Sequence, residues 1–196
     1  MNGRAAVFFD RDGVLNYDVG YVTHLDDYKL LPRSAAAVRR VNEAGMPAIL
    51  VTNQAGAARG YFSELMIGRV HEKLENELSK KGAYLDAIYF CPYHPCSDDP
   101  SLAIDSDWRK PKPGMLFQAS KDHCIDLARS FMIGDKYSDL ECGWAAGCCS
   151  ALVLTGYGRG SLENYGETWI RRPDFLAEDS YQAVDVILRN RKEMEE

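Results

Sequence analysis

An α/β fold with a doubly wound, mostly parallel sheet is what this sequence predicts, and three observations predict it. Short apolar runs of strand length alternate with segments of helical apolar spacing along the chain. Its 196 residues, 46% hydrophobic and 27% charged, suffice for one hydrophobic core and match an ordinary globular composition. The polar residues that carry chemistry fall just after strands, where an open parallel sheet places its ligand crevice. A single domain spanning 1–196 is expected, with loops rather than a large cap domain over the site.

The elements follow in order. Residues 5–9 form a short apolar strand that is broken at once by Asp10, Arg11 and Asp12. A helix over 34–44 has Ala35, Val38 and Val41 at helical spacing, Ser34 as N-cap and Gly45 as stop, and 46–51 is apolar again. Ser63 begins a second helix with Glu64 in its first turn and Leu65, Val70, Leu74 and Leu78 facing inward; strand pattern resumes over 86–90. A third helix starts at Pro113, followed by strand 131–133, helix 138–146, strand 150–154 and a closing helix over 181–191. Three stretches, 14–31, 91–113 and 155–173, fit no regular element, and loops of that length are often functional.

Composition narrows the function classes. Lys plus Arg total 23 against 29 for Asp plus Glu, a formal charge of -6 with no dense basic block, which argues against nucleic acid and anionic membranes as partners. No apolar run reaches the 18 or so residues of a membrane-spanning helix, and no signal peptide is evident, so a cytoplasmic protein is expected. Its six cysteines, Cys91, Cys96, Cys124, Cys142, Cys148 and Cys149, read as reduced thiols in a chain long enough not to need bridges. A monomer is the favoured form.

Four constellations sit at strand ends. Asp10 and Asp12, spaced i, i+2 and followed by Gly13, point to one side if extended geometry persists. Like charges about 4 Å apart repel by roughly 4 kcal/mol at an effective dielectric of 20, so such a pair calls for a cation or a shared proton; a plain surface turn is the alternative. Thr52, Asn53 and Gln54 offer a hydroxyl and two amides that can donate to an anion without adding charge, or simply cap the strand. Arg109-Lys110-Pro111-Lys112-Pro113-Gly114 is a basic, proline-stiffened helix entry able to hold a cation over a phosphate. Gly134-Asp135-Lys136-Tyr137-Ser138-Asp139 again ends a strand in acidic residues. The run Gly156-Tyr157-Gly158-Arg159-Gly160 invites a phosphate-loop reading, but no helix is expected after it, so it reads as mobile connection. His24, His71 and His123 read as surface or helix residues.

The order of these four constellations resembles the haloacid dehalogenase-like phosphatase superfamily. The longer strings Asp-Arg-Asp-Gly-Val-Leu-Asn, Val-Thr-Asn-Gln-Ala-Gly-Ala-Ala-Arg-Gly and Arg-Lys-Pro-Lys-Pro-Gly-Met resemble the branch that holds D-glycero-D-manno-heptose 1,7-bisphosphate 7-phosphatase and histidinol-phosphate phosphatase, over about residues 5–160. The resemblance implies Asp10 as the nucleophile that becomes an aspartyl phosphate and Asp12 as the acid and base. Thr52 and Lys110 would hold the phosphoryl oxygens, with Asn53, Arg109 and Lys136 completing the substrate-binding set and 18–21 lying on the sugar side. Mg²⁺ would be held by the carboxylates of Asp10 and Asp135 and the backbone carbonyl of Asp12, with Asp139 supporting it or orienting a neighbour. Charge counting agrees: Asp10, Asp135 and a phosphate dianion are balanced by Mg²⁺, Lys110 and Arg109. A noncatalytic phosphate-binding protein is the alternative of another class, against which both Asp10 and Asp12 are retained.

The resemblance also implies a structural zinc that many relatives carry, held by Cys-x-His and Cys-x-Cys. Here Cys91 fits the first position, but Tyr93, Ser106 and Trp108 occupy the other three, so zinc is expected to be absent. The loop would then be ordered by packing, with Trp108 as its anchor. A shifted site built from Cys91, His94, Cys96 and either Asp105 or Asp107 is the alternative.

Overall fold

Alternate residues of the first strand are both fully buried: Val7 and Phe9 pack on one side of it and Phe8 on the other. That is how a central parallel strand must read when helices cover both faces, since no side chain is left for solvent. The computed structural model describes the backbone of residues 3–195 and the side-chain surroundings of residues 3–191; Met1, Asn2 and Glu196, the ends of the expected domain, lie outside the described residues. The elements run β1 (Val7–Phe9), α1 (Ser34–Glu43), β2 (Ala48–Asn53), α2 (Glu64–Ser79), β3 (Ala87–Cys91), α3 (Gly114–His123), β4 (Phe131–Gly134), α4 (Tyr137–Ala145), β5 (Cys149–Val153), α5 (Gly158–Tyr165), β6 (Phe175–Ala177) and α6 (Ser180–Glu195).

The strands form one six-stranded sheet in the order β3-β2-β1-β4-β5-β6, parallel at every pairing. Register sets Phe8 beside Ile49 and Met132, so one apolar row crosses three strands. On one face α1, α2 and α6 bury Val38, Val41, Val70, Leu74, Leu78, Val184 and Ile187 against Val7, Phe9, Leu50 and Ile133. On the other, α3 and α4 bury Met115, Leu116, Ala119 and Cys142 against Phe8, Ile49, Val51 and Met132. Each such large side chain contributes about 1.5–3 kcal/mol on burial. The sheet is therefore doubly wound, and its order reverses on either side of β1, where ligands are bound in this architecture. Among the described residues no helix is long and apolar enough to cross a membrane.

Several sequence expectations need correction. Ser34 is the first helical residue of α1 rather than its cap; Arg33 takes the N-cap in the left-handed region at φ 66°, and the Ser34 hydroxyl donates to the Leu31 carbonyl at 2.9 Å. Leu65 faces out, 67% exposed, because it lies about 200° around the helix from Ile67, and Ile67, Val70, His71, Leu74 and Leu78 form the buried stripe. Residues 155–173 are not all irregular: α5 begins at Gly158, within the glycine-rich run read as mobile connection, and β6 follows at the sheet edge. Two glycines within α5 and the three-residue length of β6 hide both from pattern reading.

The other long loops are ordered as well. Residues 14–31 fold back on themselves, with Tyr17 N–H donating to the Lys29 carbonyl at 3.0 Å and Leu31 N–H to the Leu15 carbonyl at 2.9 Å. In residues 91–113, Trp108 meets the Tyr89 ring edge-on at 5.8 Å and packs on the core beneath it, as expected of the loop's anchor.

Candidate active site

Parallel strands end on the same edge of the sheet, so the residues following β1, β2 and β4 are brought together there. Asp10 follows β1, its N–H donating to the Ile133 carbonyl at 3.0 Å, and Asp135 follows β4. Thr52 and Asn53 are the last residues of β2. Lys110 arrives from the loop before α3 and is tied to the end of β2 by a reciprocal pair: its N–H donates to Asn53 Oδ1 at 3.0 Å and its carbonyl accepts from Asn53 Nδ2 at 3.1 Å. Both ends of the Asn53 amide are thus engaged with the Lys110 backbone. A cleft of about 450 Å³ opens here, lined by Asp10, Asp12, Asn53, Arg109, Lys110 and Lys136 among others.

The Lys110 ammonium donates to Asp10 Oδ1 at 2.7 Å, Asp139 Oδ1 at 2.7 Å and the Val51 carbonyl at 3.0 Å. Burial opposes its charge, but Asp10 and Asp139 outweigh that and hold its pKa above the usual lysine range. Asp139 also caps α4 by accepting the Lys136 N–H at 3.0 Å. Lys136 extends to Asp18 Oδ2 at 3.1 Å and lies 4.6 Å from the centre of the Tyr157 ring.

Asp10, Asp135 and Asp139 each offer an oxygen, all within 4.8 Å of one another, and all three are buried. Burial, only partly offset by Lys110, pushes the Asp10 carboxyl up; burial and the neighbouring Asp139 push Asp135 well above the usual carboxylate range. Asp135 Oδ2 accepts the Tyr157 N–H at 2.8 Å, whereas its Oδ1 finds no partner among the protein atoms. Gly13 and Gly156 make that approach possible, since a Cβ on either would stand 2.2 Å from Asp135 Oδ2. Three buried carboxylates against one lysine, with an orphaned oxygen among them, suit a hard divalent cation with oxygen ligands, and the donor set fits Mg²⁺.

Asp12 sits apart from this cluster. Its carboxylate accepts from Arg11 Nη2 at 2.9 Å, Asn16 Nδ2 at 2.8 Å and Gln54 Nε2 at 3.0 Å. Burial works against the charged form, but Arg11 and these hydrogen bonds prevail and hold its pKa below the usual range. Asp10 and Asp12 both line the cleft, as their spacing predicts. Thr52 and Asp135, 1% and 0% exposed, do not line it.

Arg11 is a site residue that sequence reasoning does not select, and Gln54, noted there only as a strand-end amide, holds Asp12 rather than an anion. Each is at most 5% exposed, and their contact, Arg11 Nη2 to Gln54 Oε1 at 3.0 Å, joins positions 43 apart in the chain. A tertiary pair of that kind leaves no local signal; only the placement of Gln54 directly after a polar strand end hints at it.

Cys91, His94 and Cys96 do not converge. Cys91 Sγ lies 3.9 Å from the Tyr93 carbonyl, and His94 Nδ1 accepts the Cys96 N–H at 3.1 Å. Among the described residues, the one group of three or more ligating side chains brought within reach of a shared ion is Asp10, Asp135 and Asp139.

Comparison with known proteins places this geometry. The family described as "HAD-hyrolase-like" matches residues 107–183. The chain is 44% identical over 191 residues to the D-glycero-D-manno-heptose-1,7-bisphosphate 7-phosphatase of Thermosynechococcus vestitus, covering 94% of this chain and 95% of the relative. It is 38% identical over 190 residues to the same-named protein of Chlorobaculum tepidum, covering 94% of each. The crystal structure of D,D-heptose 1,7-bisphosphate phosphatase from B. bronchiseptica, complexed with magnesium and phosphate, superposes with a TM-score of 0.84 at 33% identity, covering 95% of this chain and 99% of that one. With the motifs of three strand ends and of the loop before α3 assembled at one cleft, the chain belongs to the haloacid dehalogenase-like hydrolases, in the family of the heptose-1,7-bisphosphate 7-phosphatases.

Proposed function

We propose that this chain is a single-domain, magnesium-dependent phosphomonoester hydrolase that removes the 7-phosphate of D-glycero-D-manno-heptose 1,7-bisphosphate through an aspartyl phosphate on Asp10. The observation that carries the reading is the buried trio Asp10, Asp135 and Asp139 set against Lys110 beside the cleft, with one Asp135 oxygen unpartnered by protein. The substrate assignment rests on the relatives, which are similar over nearly the whole chain.

In this reading an Asp10 oxygen attacks phosphorus as the bond to the sugar oxygen breaks, and Asp12 gives that oxygen its proton. Water then attacks the aspartyl phosphate, its proton returns to Asp12, and Asp10 is released with inorganic phosphate. Thr52 and Lys110 hold the phosphoryl oxygens; since the Lys110 donors are already engaged, one must turn from a carboxylate to the phosphoryl group. Asn53 contributes by fixing the Lys110 backbone. Arg109 and Lys136, on the cleft wall, grip the rest of the substrate, where arginine can clamp a second phosphate in bidentate fashion. Asp10, Asp135 and the Asp12 backbone carbonyl would hold Mg²⁺, which supplies charge neutralisation for the nucleophile and its dianionic substrate.

The same reading gives a cytoplasmic monomer with no nucleic-acid or membrane partner and no structural zinc; the -6 charge supports the lack of nucleic-acid and membrane partners, and Tyr93, Ser106 and Trp108 in three of the four ligand positions support the lack of zinc. Asp10→Asn tests the chemistry. Steady-state phosphate release is expected to fall by more than about 1,000-fold with the melting temperature kept or raised, because a repulsive buried charge is removed. Undiminished turnover would eliminate Asp10 as nucleophile.

A further inference from the structure

Gln54 is the first residue after β2, and its backbone extends the ladder by donating to the Cys91 carbonyl at 2.7 Å, so its side chain starts from a fixed root. It is 5% exposed and every polar end of its amide is engaged. Oε1 accepts from Arg11 Nη2 at 3.0 Å; a guanidinium only donates, so this contact fixes which way the amide faces. Nε2 is thereby turned to two acceptors, Asp12 Oδ2 at 3.0 Å and Thr52 Oγ1 at 3.0 Å. Arg11 and Asn16 also hold Asp12, but Gln54 is the partner that holds Asp12 and Thr52 together.

We propose that Gln54 is a positioning residue that keeps the Asp12 carboxylate in register with Thr52, so that Asp12 meets the leaving oxygen of a phosphoryl group gripped by Thr52. The proposal rests on the roles inferred above for Asp12 and Thr52. The Thr52 hydroxyl accepts from Gln54, which leaves its own proton available to a phosphoryl oxygen. An acid acts only within hydrogen-bond reach of the atom it protonates, and a misplacement of about 1 Å can cost about 100-fold in rate. A glutamate here would lose the donor and set a like charge against Asp12 Oδ2. A glutamine supplies the donor with no charge.

The test compares kcat/KM for a hexose 6-phosphate, whose alkoxide leaving group needs a proton, with p-nitrophenyl phosphate, whose phenolate leaves without one. This constant includes only steps up to loss of the leaving group, so the later use of Asp12 as a base does not mask the comparison. Gln54→Leu is expected to lower the constant for the hexose phosphate by about 10- to 100-fold and for the aryl phosphate by no more than about threefold. Gln54→Glu retains size and the oxygen facing Arg11, and it should give the same pattern if Gln54→Leu fails to fold. In an Asp12→Asn background, Gln54→Leu should add no further loss specific to the hexose phosphate. Equal losses with both substrates, or none with either, would overturn the proposal. Should Asp12→Asn itself fail to distinguish the substrates, the acid assignment falls and the proposal with it. Discrimination by Asp12→Asn but not by the Gln54 variants sinks the positioning role alone.

Discussion

Arg109 lines the cleft, and its guanidinium Nη1 reaches the Tyr93 carbonyl at 3.4 Å, so it belongs to the wall and not to the buried acidic cluster. Arg109→Ala is therefore expected to lower kcat/KM for a sugar bisphosphate at least about tenfold more than for p-nitrophenyl phosphate, since a lost charge-assisted contact to the second phosphate costs about 1.5–3 kcal/mol. Equal losses would move Arg109 into the phosphoryl grip. His71, on the buried face of α2, makes a second single-residue case. Burial first, and then the Arg11 charge, lower its pKa from 6.5 to about 3. The native ring stays neutral while the unfolded ring takes a proton below 6.5, so its contribution is intact above that pH and is lost as pH falls toward about 3. The loss is about 1.4 kcal/mol per pH unit well inside that window. Denaturant titrations of wild type and His71→Leu should converge at neutral pH and diverge by about 2 kcal/mol in the variant's favour near pH 5, from the same linkage. Parallel curves would show that His71 is protonated in the fold. At this scale the sequence shows the chemistry but not its support. Asp10, Asp12, Lys110 and Asp135 stand in recognisable local strings, whereas the Arg11–Gln54–Asp12 clamp exists only once β1 and β2 are paired.

Elements are legible where periodicity is strong and long. The buried stripes of α1 and α2 and the apolar runs of β1, β2 and β4 can be read directly, with ends displaced by a residue or two and Leu65 misassigned. The stretch 155–173 hides α5 because it carries Gly158 and Gly160, poor helix formers, and β6 just beyond it is missed as a three-residue edge strand. That omission touches the site: the turn into α5 places the Tyr157 N–H on Asp135 and the Tyr157 ring on Lys136. The loop 91–113 is tied down by its own hydrogen bonds. His94 N–H donates to the Leu102 carbonyl at 3.1 Å, Ser97 Oγ to the Ala58 carbonyl at 2.5 Å, and Gly114 N–H to the Asp107 carbonyl at 2.9 Å. Elemental analysis of protein purified without chelator should find less than about 0.1 zinc per chain, against the one per site a structural centre holds. Near-stoichiometric zinc lost on Cys91→Ser would establish the shifted site.

At the scale of the molecule, six parallel strands carry chemical groups from four separated stretches of sequence to one edge, and the order reversal about β1 leaves the cleft there. This architecture is legible in the regular alternation of strand and helix along the chain, because parallel strands require crossover helices on both faces. The substrate is not legible in the same way: fold and acidic cluster are shared by enzymes of many specificities, and the cleft wall is built from loops. Phosphate release from a panel of heptose 1,7-bisphosphate, histidinol phosphate and common hexose phosphates, with Mg²⁺ present, decides the substrate. The value of kcat/KM for heptose 1,7-bisphosphate should exceed that for every other member by at least about 100-fold, with one phosphate released per molecule, as two lost charge-assisted contacts would dictate. Preference for histidinol phosphate, or no release from any member by a folded, magnesium-supplied protein, would contradict it.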